Sequence, residues 1–181
     1  MESSIAMRHD RFEAIYKQEA DVVFRYLRYR VGSDAAEDLT AETFSVAWQK
    51  LAQLPDPPRP WLLATARRKS ANHIRARRKR IANEVVDLDE TLAAVSDDAT
   101  EDVLRRRDLI VALKVLPPLD REAILLVTWY DLGNAEAAEV MDCSTTAFAV
   151  RLHRARRRLG RILKNTDAKP NLTAHYLEDL R

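Results

Sequence analysis

The sequence predicts an all-α protein of two small helical domains joined by a flexible acidic linker. Three observations carry that expectation. The 181 residues hold only three glycines beside many Ala, Leu, Arg and Glu, which favour helix. Apolar residues recur by threes and fours in successive stretches punctuated by proline or glycine. Charge is segregated along the chain: residues 1–80 carry 16 basic and 10 acidic side chains, residues 81–104 none and 8, residues 105–181 14 and 10. The modest net charge of +2 conceals two basic lobes and a purely acidic segment between them.

From about Arg11 to Arg30, Phe12, Ile15, Tyr16, Val23, Tyr26 and Leu27 form the apolar stripe of a first helix, which Val31-Gly32 ends. Ser33 or Asp34 is placed to cap a second helix, with Glu37 three residues after Asp34 as a capping box prefers. Leu39, Thr43, Ala47, Trp48 and Leu51 mark its buried side, while Asp38, Glu42, Ser45 and Gln49 lie on other faces. That polar face fits a solvated surface and a docking face equally.

The loop QLPDPPRP follows, with Pro60 suited to the first position of a third helix. This helix begins with Trp61, Leu62, Leu63 and Ala66 and becomes RRKSANHIRARRKR, in which eight of fourteen residues are basic and none acidic. Such density repels itself unless a polyanion lies nearby, which points to nucleic acid. Trp61 has two readings, a core residue or a platform for an unpaired base.

Residues 84–102 lack strong periodicity and positive charge, as expected of a linker. Asp87, Asp89, Asp97 and Asp98 have neither the spacing of a calcium loop nor a histidine partner, so no metal is expected there. From Val103 a helix resumes through Leu104, Ile110, Leu113 and Leu116.

Pro117-Pro118 closes that helix and opens another through Ile124, Leu125, Val127, Thr128 and Leu132, which Leu132-Gly133 stops. Asn134 is placed to cap a short helix, Ala135 to Met141, and Ser144 to cap a long one from Thr145 to about Leu163. With only Asp142, Cys143 and Ser144 between them, these two form a helix-turn-helix, and small Ala138 sits where the backbones approach. The last helix has an inner row of Phe148, Leu152, Ala155, Leu159 and Leu163. Its outer face holds six arginines within residues 151–161. That face suits phosphate contact, with the N-terminal turn toward base edges. The domains expected are therefore 8–83 and 103–164, joined by 84–102 and followed by a polar tail, 165–181.

Several function classes are disfavoured. The first thirty residues mix charges throughout and no apolar run approaches membrane-spanning length, so a cytoplasmic protein is expected. A single Cys143 excludes an intramolecular disulfide and leaves no cysteine set for zinc; it reads as a small turn residue rather than a redox switch. No Gly-rich phosphate loop, Ser-His-Asp order or His-x-x-x-His pair occurs. Neither enzymatic activity nor a cofactor is expected.

Three stretches carry a family resemblance: SDAAEDLTAETFSVAWQKL, PWLLATARRKSANHIRARRKR, and LPPLDREAILLVTWYDLGNAEAAEVMDCSTTAFAVRLHRARRRL. In this order and spacing they resemble the extracytoplasmic-function (ECF) sigma factors of the sigma-70 family. The resemblance implies a transcription initiation factor that binds core RNA polymerase, recognises promoters and helps melt DNA. The alternative is an autonomous helix-turn-helix regulator acting without core polymerase.

It further implies that Asp38, Glu42 and Gln49, supported by Leu39, Phe44 and Trp48, dock on the clamp helices of the largest polymerase subunit. Trp61, Arg67, Arg68, Lys69, Asn72, Arg75 and Arg78 would serve the minus-10 element, where a base is flipped. Ser144, Thr145, Thr146, Ala149, Val150, His153 and Arg154 would face the minus-35 groove, and Arg151, Arg157 and Arg158 phosphates or the polymerase flap. An anti-sigma protein is implied as a further partner. The acidic segment would mimic nucleic acid within the polymerase channels, unless it serves linker solubility alone.

Four positions depart from the family pattern. Arg68 stands where asparagine is common, Ala149-Val150 replaces a Lys/Arg-Ser pair, and Asp142 replaces a turn glycine. Minus-35 readout is therefore expected to be weaker or altered, with shape and phosphate contacts carrying more of the binding. Aspartate tolerates the left-handed conformation, so the turn survives.

Overall fold

The computed structural model describes residues 2–81 and 101–167, all helix, turn or loop, with no strand among them. Seven α-helices occur in this span: α1 Glu2–Val31, α2 Ser33–Gln49, α3 Arg59–Ile81, α4 Glu101–Val115, α5 Pro118–Thr128, α6 Asn134–Met141 and α7 Thr145–Asp167. A single 3-10 turn, Leu51–Gln53, follows α2. The described residues divide into two compact units, residues 2–81 with 138–142 and residues 101–137 with 143–167. The expected linker and tail fall largely outside the described residues.

In the first unit α1, α2 and α3 pack against one another. Val23, Tyr26 and Leu27 of α1, Ala36 and Ala47 of α2, and Leu62, Leu63 and Ala66 of α3 are almost fully buried. Burying each large aliphatic side chain contributes roughly 1.5–3 kcal/mol, so this apolar centre holds the three helices together. Thr40 and Thr43 are buried with it, and each hydroxyl donates to a backbone oxygen one turn back, Ala36 and Leu39, at 2.7 Å.

The α1–α2 corner departs from the expected cap. Gly32 occupies the N-cap position at φ 85°, ψ 172° without a side-chain cap bond, and Ser33 already belongs to the helix. Helix α1 also begins nine residues before the expected Arg11.

In the second unit α4 and α5 both pack on α7. Phe148, Leu152 and Ala155 are buried as the inner row predicts, whereas Leu159 and Leu163 are only half-buried where α7 runs on. Pro118 takes the first position of α5, and Arg121 Nη2 donates to the carbonyls of Lys114 and Leu116 at 2.6 and 3.2 Å, satisfying oxygens at the end of α4. Helix α5 stops at Thr128, short of the expected Leu132. The Trp129 and Tyr130 amides donate to Leu125 O, and Asp131 turns left-handed at φ 54°, which ends the helical path.

Candidate nucleic-acid interface

The turn before α7 is held by local bonds. Glu136 Oε2 accepts the Gly133 N–H at 2.7 Å, so the acid three residues into the short helix secures its start, rather than Asn134. Asp142 adopts φ 55°, the left-handed conformation expected of it. Ser144 caps α7 as predicted, its hydroxyl accepting the Ala147 N–H at 3.1 Å.

With Phe148, Leu152 and Ala155 turned inward, the rest of α7 is fixed in direction. Ser144, Thr145, Thr146, Val150, His153, Arg154, Arg157 and Arg158 are exposed, and Ala149 and Arg151 are half-buried. Arg156 and Arg161 extend the basic face. The candidate minus-35 residues thus share one helix, and Val150, Arg151, Arg154 and Arg158 border an open notch of about 570 Å³ beside α5.

Sequence reasoning missed one member of this site. Asp120, only 8% exposed, takes a bond from Arg158 Nη1 at Oδ2, and its Oδ1 lies 3.7 Å from Arg151 Nη1. The partners are 38 and 31 positions away in the chain, beyond any local pattern. The acid three residues into α5 was the only local signal.

In the first unit, Arg68, Asn72, Arg75, Arg77, Arg78 and Lys79 are exposed along α3, while Arg67 and Lys69 are half-buried. Arg68 Nη2 donates to Thr65 Oγ1 at 2.9 Å, and Arg75 Nη2 to Asn72 Oδ1. Trp61 is half-buried, between its two readings. The proline loop is pinned by contacts that the sequence did not reveal. Arg59 Nε and Nη2 donate to Oε2 and Oε1 of Glu19 at 2.8 and 3.2 Å, and Arg11 Nη2 donates to Leu54 O at 3.3 Å. Glu19 is 1% exposed, so α1 grips the loop from within the bundle.

On α2, Asp38, Glu42 and Gln49 are exposed, with Leu39 and Phe44 buried beneath them. Glu42 Oε2 accepts from Lys69 Nζ at 2.8 Å, joining a residue of the candidate docking face to one of the candidate minus-10 helix. Trp48, expected inside, is 38% exposed, and Tyr16 of the expected apolar stripe is 46% exposed. Both lie beside the first half of α1, which is itself largely exposed. There Phe12 meets the Trp48 ring at 5.1 Å and Tyr16 meets Phe44 at 4.8 Å, edge to face, with the Arg8 guanidinium 5.4 Å from the Trp48 ring centre.

Among the described residues no helix is long and apolar enough to cross a membrane, and no three His, Cys, Asp or Glu side chains are grouped to hold a metal.

Comparison with known proteins adds two family matches. Residues 15–80 match Sigma-70 region 2 and residues 106–159 match Sigma-70, region 4. The chain is 34% identical over 170 residues to the ECF RNA polymerase sigma factor BldN of Streptomyces coelicolor, covering 90% of this chain and 64% of that protein. It is 32% identical over 149 residues to the ECF RNA polymerase sigma factor SigC of Mycobacterium tuberculosis, covering 80% and 78%. In fold it is similar to the sigma factor RpoE of Bartonella quintana, solved in complex with the anti-sigma factor NepR: TM-score 0.68, 23% identity, 84% of this chain and 96% of that one.

Proposed function

Because this chain belongs to the ECF sigma factors of the sigma-70 family, we propose that it binds core RNA polymerase and gives it promoter recognition and DNA melting. The observation that supports this most is the pair of matched regions, in order, each carrying an exposed basic helix, α3 in one and α7 in the other. An autonomous helix-turn-helix regulator would have no use for the region 2 match over residues 15–80.

The division of labour follows the chain, as 8–83, 84–102, 103–164 and the tail 165–181. The exposed acids Asp38 and Glu42 with Gln49 form the polymerase-docking face on α2, and buried Leu39 and Phe44 hold it in shape. Arg67, Arg68, Lys69, Asn72, Arg75 and Arg78 of α3, with Trp61, take the minus-10 strand, where charge tracks the backbone and a ring receives a base. The Ser144–Arg158 face of α7 takes the minus-35 duplex. The residues 84–102 act inside the polymerase through their negative charge.

Catalysis belongs to the polymerase; this chain supplies no reacting group and needs no cofactor. It works in the cytoplasm, where promoter DNA is, and is held inactive by an anti-sigma protein, as RpoE is found bound to NepR.

Transcription in vitro from a library of random promoters, with and without core polymerase, tests the assignment. Initiation at a defined two-element motif only when both proteins are present is the expected result. Specific duplex binding by the chain alone, with no redirection of core, would overturn it. In the same assay Ala149→Lys restores a hydrogen-bonding side chain at the minus-35 face, and the selected motif should change there.

A further inference from the structure

The best-buried carboxylate beside the notch of the second unit extends the initiation reading to one more residue. Asp120 sits in the first turn of α5. A carboxylate withdrawn from water is costly unless it is paired and hydrogen-bonded. Its partners come from α7: Arg158 Nη1 donates to Oδ2, and Arg151 Nη1 stands 3.7 Å from Oδ1. The exposures are unequal in a telling direction. The Asp120 side chain keeps 12% of its surface, against 38% for Arg151 and 44% for Arg158. The acid is inside and the two guanidinium-bearing side chains reach solvent.

A guanidinium is a planar fork with five N–H donors. Arg158 directs one of them at Asp120 and retains others for a second acceptor. Both arginines border the notch of about 570 Å³, together with Arg154 and the N-terminal turn of α7 at Thr146. Anions are favoured at a helix N-terminus, and here three arginines converge on the same opening.

We propose that Asp120 is a positioning residue for DNA binding: it holds Arg158 and Arg151 in orientation so that the notch receives one backbone phosphate of the minus-35 duplex. An unrestrained arginine loses rotamer freedom when it meets a phosphate, and one already clamped by Asp120 loses less. This rests on the initiation reading. It also opposes the simplest electrostatic expectation, because a carboxylate beside a phosphate repels it, and neutralising the acid should then tighten binding. The two accounts differ in sign.

The test uses the full chain assembled with core polymerase, duplexes recovered from the random-promoter library, and core alone as the blank. Affinity is measured from about 50 to about 200 mM salt, where each phosphate contact contributes about 0.9 to the slope of log K against log salt. Asp120→Asn, near-isosteric, is expected to weaken binding roughly tenfold at the lower salt and to flatten the slope by about one. Unchanged or tighter binding by this variant would overturn the proposal.

Should Asp120→Asn fail to fold, Arg158→Lys decides. It keeps the charge but loses the fork that bridges carboxylate and phosphate, so it should bind nearly as poorly as Arg158→Ala. Wild-type affinity in Arg158→Lys would show that a point charge suffices and sink the idea. If the unaltered chain with core recovers no duplex at all, the initiation reading itself fails. A recovered duplex indifferent to Asp120 removes only the present inference.

Discussion

In each unit a buried carboxylate pairs with arginine from a distant part of the chain, yet the two pairs face opposite ways. In the first unit Glu19 is 1% exposed and its partner Arg59 keeps only 28% of its side-chain surface, so both charges are drawn into the bundle where the proline loop begins α3. In the second unit Asp120 holds Arg158 and Arg151, whose side chains remain 44% and 38% exposed. The same chemistry locks a loop in one place and presents a surface in the other. The lesson is that the exposure of the basic partner, rather than burial of the acid, separates a contact serving the fold from one available to a ligand.

The largest effect expected from breaking this comparison is on stability. Glu19→Ala removes the carboxylate that Arg59 pairs with and should cost about 3 kcal/mol, at the low end for a broken buried pair because Arg59 keeps some solvent contact. Asp120→Ala should cost about 1 kcal/mol or less, since its exposed arginines can rehydrate. Denaturant unfolding of both variants measures the difference, and equal costs would erase the distinction.

A smaller effect sharpens it within the second unit. Ser144→Ala removes the cap of α7 and should cost about 1 kcal/mol in the same unfolding experiment, while Ser144→Asp should retain most of the stability.

Smaller still is the surface pair between Lys69 and Glu42, with 26% and 56% of their side chains exposed. A double-mutant cycle with Glu42→Gln and Lys69→Met should give a coupling of about 0.5 kcal/mol that fades in high salt. A coupling as large as that of Glu19 with Arg59 would mean that exposure does not govern these pairs.

The least effect belongs to Lys17 and Glu13, one turn apart on the exposed half of α1 at 2.6 Å. The hydrogen bond from the Lys17 ammonium, followed by its charge, holds the Glu13 carboxyl below its ordinary value of 4.5. A depressed carboxyl favours the folded helix above its unfolded pKa, and that contribution fades as pH falls below about 4.5. The protection of amides around Glu13, taken relative to their intrinsic exchange rate at each pH, should fall over that acid range in the native chain and show less of this change in Lys17→Met.

How much of this was readable beforehand depends on the distance over which each feature is encoded. The α7 inner row, the Ser144 cap and the left-handed Asp142 arise within a turn or two of helix, and sequence spacing locates them. The identity of both units as sigma regions was likewise legible, because three motifs kept their order. Glu19 with Arg59, 40 positions apart, and Asp120 with Arg158, 38 apart, depend on which helix faces meet, and periodicity does not choose between charged partners. The exposure of Trp48 and Tyr16 escaped for a related reason. Their spacing is apolar, but the early part of α1 that they accompany runs beyond the buried centre around Val23 and Leu27.

At the corner between α1 and α2, Gly32 combines φ 85° and ψ 172° with free space: a side-chain carbon built there would meet nothing within 4 Å. The obstacle to replacing it is therefore handedness and not volume. Every L-residue would be strained at that torsion, whereas the mirror-image amino acid would be relaxed, because inverting both angles gives an ordinary extended conformation. A chemically synthesised chain with D-alanine at position 32 would adopt these torsions without that strain, while narrowing the choices open to the unfolded polymer.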